Sequence, residues 1–140
     1  MRDNKEMTAI RHKTRLSLLL LVVVFILPGA NHAIFADDFG SLLGRWQRVD
    51  GSYVIEVRQI QADGQMEAGY YNPRPINVSR AQASLYGDKI KIELELRDRG
   101  YPGSAYTLIY AADRDALVGY YYHAPTRQNL DVVFVRTSRN

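Results

Sequence analysis

From residue 44 onward the chain alternates apolar and polar side chains in short runs separated by turn residues, the period-two pattern of strands that bury one face. The clearest run is 89–97, where Ile90, Ile92, Leu94 and Leu96 alternate with Lys89, Lys91, Glu93, Glu95 and Arg97. Tyr53, Ile55 and Val57 alternate with Val54, Glu56 and Arg58 in the same way. The pattern predicts strands over 44–49, 53–58, 66–70, 76–85, 89–97, 104–111, 117–123 and 130–137, with turns at Asp50-Gly51, Ala62-Asp63-Gly64, Tyr86-Gly87-Asp88 and Asp113-Arg114-Asp115. Within 76–85 the apolar phase changes near Ser79-Arg80, which predicts a β-bulge. Gly69 marks a crowded or bulged position, and Asn72-Pro73-Arg74-Pro75 is expected as a loop, because two prolines remove ladder donors.

Eight consecutive strands with short connections and no helical period imply an all-β, eight-stranded antiparallel up-and-down β-barrel. Closure hides the sheet edges, and at this strand number the interior is filled by side chains or holds one small ligand. Gly44-Arg45-Trp46 on the first strand and Arg136 on the last, after Val132-Val133-Phe134-Val135, resemble the signature of the calycin group, the lipocalin and avidin type of barrel. That resemblance implies that the arginine packs across the tryptophan and closes one end of the barrel, so Trp46 and Arg136 are expected as structural residues. It implies an architecture and no particular ligand.

The residues before the strands read differently. Arg2, Lys5, Arg11, Lys13 and Arg15 precede an apolar run from Leu16 to Leu27, followed by Pro28-Gly29-Ala30 and Ala33-Ile34-Phe35-Ala36. This is the pattern of a signal peptide over 1–36 with cleavage after Ala36, leaving a single barrel domain over 37–140. The apolar run is shorter than the roughly 20 residues that span a bilayer. An uncleaved N-terminal membrane anchor is the alternative. The protein is thus expected to be exported, periplasmic or secreted, with a membrane partner only if the leader is retained. With no cysteine, the domain has neither disulfides nor a lipid-modified N-terminal cysteine, and its stability must come from its core.

Charge removes one class of function. The sequence pI of about 9.2 suggests nucleic-acid binding, yet residues 1–36 hold five of the 18 basic and two of the 15 acidic side chains, leaving thirteen of each over 37–140. A neutral domain with interspersed signs lacks the basic footprint of a nucleic-acid partner. Catalytic chemistry is equally sparse. Residues 37–140 hold one histidine, His123, and no cysteine, which excludes a multi-histidine metal site and a thiol nucleophile. A serine hydrolase would need Ser104 or Ser52 with His123, and no nucleophile elbow surrounds either. Glu93 and Glu95 read as a solvated strand face among lysines, and no glycine-rich phosphate loop is present. The expectation is a non-enzyme without metal or cofactor.

In an up-and-down barrel alternate connections share an end. The turns near residues 62–64, 86–88 and 112–115 lie together, while the longer connections at 50–52, 72–75, 98–103 and 124–129 gather at the other end with all four prolines of the domain. Longer loops on a rigid scaffold are where function concentrates. The candidate ligand-binding residues are therefore Tyr71, Asn72, Arg74, Arg99, Tyr101 and Arg127. Three arginines from three loops suit a carboxylate or phosphate if they converge, and are otherwise solvated. The ten tyrosines line a pocket or simply serve as strand residues. Two functions are expected from these features. One is binding of a small, partly apolar molecule, anionic where the arginines meet it. The other is recognition of an envelope protein, as an inhibitor or assembly factor, through the Asn72 to Pro75 and Gly100 to Gly103 loops. The sequence leaves the oligomeric state open.

Overall fold

The structure, a computed structural model, describes residues 39–138, so the expected signal segment lies outside the described residues. A single 3-10 turn, Gly40–Leu42, leads into nine strands: β1 (Gly44–Arg48), β2 (Val54–Ile60), β3 (Met66–Asn72), β4 (Arg74–Ile76), β5 (Val78–Tyr86), β6 (Lys89–Leu96), β7 (Ala105–Ala111), β8 (Ala116–His123) and β9 (Gln128–Ser138). All pairings are antiparallel, in the order β4-β3-β2-β1-β9-β8-β7-β6-β5. The sheet rolls into a nearly closed barrel, with the first strand hydrogen-bonded to the last.

The count is nine rather than the eight expected, and the reason lies in one staff of the barrel. The fourth predicted strand is divided at Asn77: its first part pairs with β3 through Tyr70↔Ile76 and Asn72↔Arg74, and its second pairs with β6 from Val78↔Leu96 onward. The expected loop at 72–75 is accordingly a tight hairpin. Pro75 is tolerated in β4 because that strand lies at one end of the sheet order, where a missing N–H breaks no further ladder. The phase change near Ser79-Arg80 is a register shift between Val78 and Arg80. At Gly69, an added Cβ would lie 2.9 Å from both the Arg58 guanidinium and the Tyr71 hydroxyl, so glycine relieves crowding there.

The barrel wall is completed between β3 and β5 at one point, the turn before β3. Gly64 adopts φ 83, a left-handed conformation in which glycine is the least strained residue, and its carbonyl accepts the Ala83 N–H at 2.8 Å. Beside it a single bridge joins Gln65 to Gln82.

Alternation then decides the interior. Trp46, Ile55, Tyr70, Leu94, Leu108 and Phe134 stand in the inward phase of their strands and are buried, while the outward phase of β2, β3 and β6 carries the charged residues. Arg45, Glu56, Arg58 and Glu67 form a chain of ion pairs on that outer face. The short turns and the 3-10 turn lie at one end of the barrel and the longer connections at the other, as the connectivity requires.

Candidate functional site

The two ends are built differently. At the short-turn end, Trp46 is fully buried, and its indole Nε1 donates to the Leu42 carbonyl at 2.9 Å, which fastens the 3-10 turn across the barrel opening. The Arg136 guanidinium lies 3.9 Å from the Trp46 ring centroid. Its Nε and Nη2 donate to the Asp115 carboxylate at 2.7 and 2.9 Å, and its remaining donors reach the Leu43 and Ser41 carbonyls. Tyr110 meets Trp46 edge to face and donates its hydroxyl to Asp115. Stacked on a ring, with four of its five N–H donors held by a carboxylate and two carbonyls, this cation is committed to the protein. This end is a plug built on Trp46 and Arg136 and completed by Asp115 and Tyr110.

At the long-loop end the interior opens into a cavity of about 320 Å³, lined by Arg48, Tyr53, Tyr70, Asn72, Gly100, Tyr101, Tyr121, His123 and Leu130. Arg48 is the deepest charge. It follows Trp46 by two residues on β1, so strand alternation turns it inward, and its side chain is 11% exposed. The Tyr53 ring covers the guanidinium at 4.4 Å. Asp50, from the β1–β2 turn, grips it with both oxygens, Oδ1 on Nε at 2.5 Å and Oδ2 on Nη2 at 2.7 Å. This pairing raises the Arg48 pKa, against the opposing effect of burial, and holds the Asp50 carboxyl below its ordinary value.

Tyrosines surround the cavity. Tyr70 and Tyr106 share a hydroxyl–hydroxyl hydrogen bond of 2.8 Å, and the Tyr106 ring stacks at a tilt on Tyr121 with centroids 4.7 Å apart. Burial pushes all three phenols upward, Tyr106 to about 12, where the Tyr70 bond and the nearby Arg48 charge restrain the rise. The Tyr121 hydroxyl is enclosed and has no hydrogen-bond partner, although the buried Ser104 hydroxyl acts to lower its pKa. Ser104 Oγ accepts the Ala124 N–H at 3.2 Å, which leaves its own proton free to act on Tyr121.

Of the sequence-predicted ligand contacts, the structure brings two together. Asn72 Nδ2 donates to the Tyr101 hydroxyl at 2.7 Å, and Tyr101 packs edge to face on Tyr70, so both side chains form part of the cavity wall. Tyr71 stands in the opposite phase, on the outer face, where its hydroxyl donates to Glu56 and Arg45 covers its ring. Arg74, Arg99 and Arg127 are exposed at the long-loop end and do not line the cavity. Arg127 occupies a left-handed turn position with φ 54. Sequence reasoning missed Arg48, Tyr53, Tyr70 and Tyr121. Phase alone would have found Arg48, since any inward residue two positions beyond Trp46 approaches the mouth.

The same geometry bears on catalysis and metals. His123 Nδ1 meets the Thr126 hydroxyl at 2.8 Å, and no hydrogen bond joins it to Ser104 among the described residues. No group of three His, Asp or Glu side chains among the described residues is arranged to hold a metal. A larger depression of about 1030 Å³ lies at the short-turn end between the β5–β6 and β7–β8 hairpins, with Leu85, Tyr86 and Ile109 on its walls. It lacks the buried, converging polar groups of the mouth cavity, which are what orient a bound molecule. Comparison with protein families, with curated proteins and with solved structures finds no match to this chain.

Proposed function

We propose that this is an exported, non-enzymatic barrel that binds a small, partly apolar molecule in the cavity at its long-loop end. One observation carries the reading: a cavity of about 320 Å³ that combines tyrosine walls with the largely covered Arg48. At about 30 Å³ per liquid water, that volume corresponds to about ten waters, the scale of a ligand with about ten non-hydrogen atoms. The exposed Arg74, Arg99 and Arg127 stand around the same end, where they suit a negative group projecting from the mouth.

The alternative, docking of an envelope protein on the Asn72 to Pro75 and Gly100 to Gly103 loops, draws less support. It needs Tyr101 presented to a partner, whereas that side chain is drawn into the wall by Asn72 and Tyr70. Native mass spectrometry of protein purified from its own envelope tests the choice. A reproducible added mass of small-molecule size is the expected result. A clean apo mass with a co-purifying protein would transfer the reading to the loops.

A further inference from the structure

The cavity also states which chemistry it accepts, an inference that rests on the ligand-binding reading. Charge comes first. Arg48 is the one permanent cation lining the cavity, and Asp50 already takes it with both carboxylate oxygens, so the pair presents no net charge to an incoming group. An anion entering beside it would give up its hydration for a cation that is already matched, and an incompletely compensated buried charge is costly.

Hydrogen-bond accounting comes second. Each phenol carries one O–H donor. The Tyr70–Tyr106 bond uses one of two protons, whichever hydroxyl donates, and leaves the other without an acceptor. The Tyr121 hydroxyl is enclosed beside the buried Ser104 hydroxyl and is not presented to the cavity. Tyr101 accepts from Asn72, which leaves its own proton available. Tyr101, a half-buried lining residue, therefore holds a phenol proton without a protein acceptor, while the nearby Asp50 carboxylate is committed to Arg48.

We infer that the mouth cavity takes the uncharged end of its ligand, a ring or short chain bearing a carbonyl oxygen that accepts from the Tyr101 hydroxyl, while Asp50 keeps carboxylates out by occupying Arg48. Any anionic part of the ligand stays outside, among the rim arginines.

Three nearly isosteric probes separate the cases in the unmodified protein: acetophenone and benzamide, which are neutral acceptors, and benzoate, which is an anion. Titration calorimetry at neutral pH should show both neutral probes binding at least tenfold more tightly than benzoate. Asp50→Asn frees the Arg48 fork and should strengthen benzoate at least tenfold while leaving acetophenone within threefold. Tyr101→Phe removes the phenol proton and keeps the ring that packs on Tyr70, so the protein should stay folded, yet acetophenone should weaken by about tenfold. Benzoate equal to the neutral probes, an Asp50→Asn protein indifferent to benzoate, or a Tyr101→Phe protein of unchanged affinity would each overturn the inference while leaving ligand binding intact. Failure of all three probes to bind saturably would overturn both it and the cavity reading.

Discussion

Replacing Trp46 with alanine removes the centre of the plug, and the cost can be assembled from its contacts. Truncating a fully buried tryptophan costs about 3 to 5 kcal/mol through lost transfer energy and the cavity left behind. The Leu42 carbonyl also loses the indole donor 2.9 Å away, which costs about 1 kcal/mol or more if water cannot replace it. Arg136 loses the ring it covers, a contact of about 0.5 to 2 kcal/mol. These effects overlap because one side chain makes all three, so the net expectation is about 4 to 5 kcal/mol, a large share of the 5 to 15 kcal/mol that typically holds a domain. With an m-value of about 1 kcal/mol/M in urea, the midpoint should fall by about 4 M, followed by far-ultraviolet circular dichroism because the only tryptophan is gone. Trp46→Phe keeps a ring beneath Arg136 and loses the Nε1 donor and part of the volume, so it should cost about 1 to 2 kcal/mol. A midpoint shift below about 1 M for Trp46→Ala would refute the claim that this residue closes the barrel. Equal losses for the two variants would show that the indole hydrogen bond, rather than the ring, holds the plug.

Two further perturbations probe the wall. At Gly119, paired with Leu108 and Val132, an added Cβ would lie 2.1 Å from the Thr107 carbonyl oxygen, so Gly119→Ala should cost about 3 kcal/mol in denaturant unfolding, and near-neutral behaviour would contradict the close approach of β7 and β8. Partial burial pushes Glu56 upward, yet Tyr71, Arg45 and Arg58 together hold its pKa below the ordinary value. A carboxyl depressed in the folded state stabilises the protein above its unfolded pKa, about 4.3, and that stabilisation disappears as pH falls through the folded value. Urea titrations should therefore show wild type exceeding Glu56→Gln at pH 7 and the difference shrinking below about pH 4; a difference independent of pH would remove the electrostatic account.

Much of the barrel follows from local pattern. Alternation at 89–97 specifies both a strand and its buried face, because a one-residue slip would expose Ile92 and Leu94 and bury Lys91 and Glu93. The phase break at Ser79-Arg80 could be read for the same reason, and so could the grouping of short turns at one end. Trp46 and Arg136 were legible because two sequence-distant positions carry an unusual pair of side chains on the first and last strands. Their contact across the barrel depends on β1 pairing with β9. The division of one staff into β4 and β5 was not legible, since the choice of neighbour for Arg74–Ile76 is settled by how far the sheet curls rather than by any residue within the segment.

The binding site shows the same limit more sharply. By itself the sequence determined the strand phases, the neutrality of the domain and the end at which long loops gather, because each depends on neighbours within a few residues or on composition. Only the tertiary structure decided which side chains meet there. Arginines near loops are conspicuous in a sequence, but Arg99 and Arg127 in loops and Arg74 on the short strand β4 all face solvent. Arg48 is inconspicuous among strand residues, yet curvature brings it toward tyrosines from β3, β7 and β8, and the β1–β2 turn supplies the Asp50 that neutralises it. Whether a buried hydroxyl finds a partner depends on three-dimensional closure over its whole surroundings, and for Tyr121 no local pattern records the result.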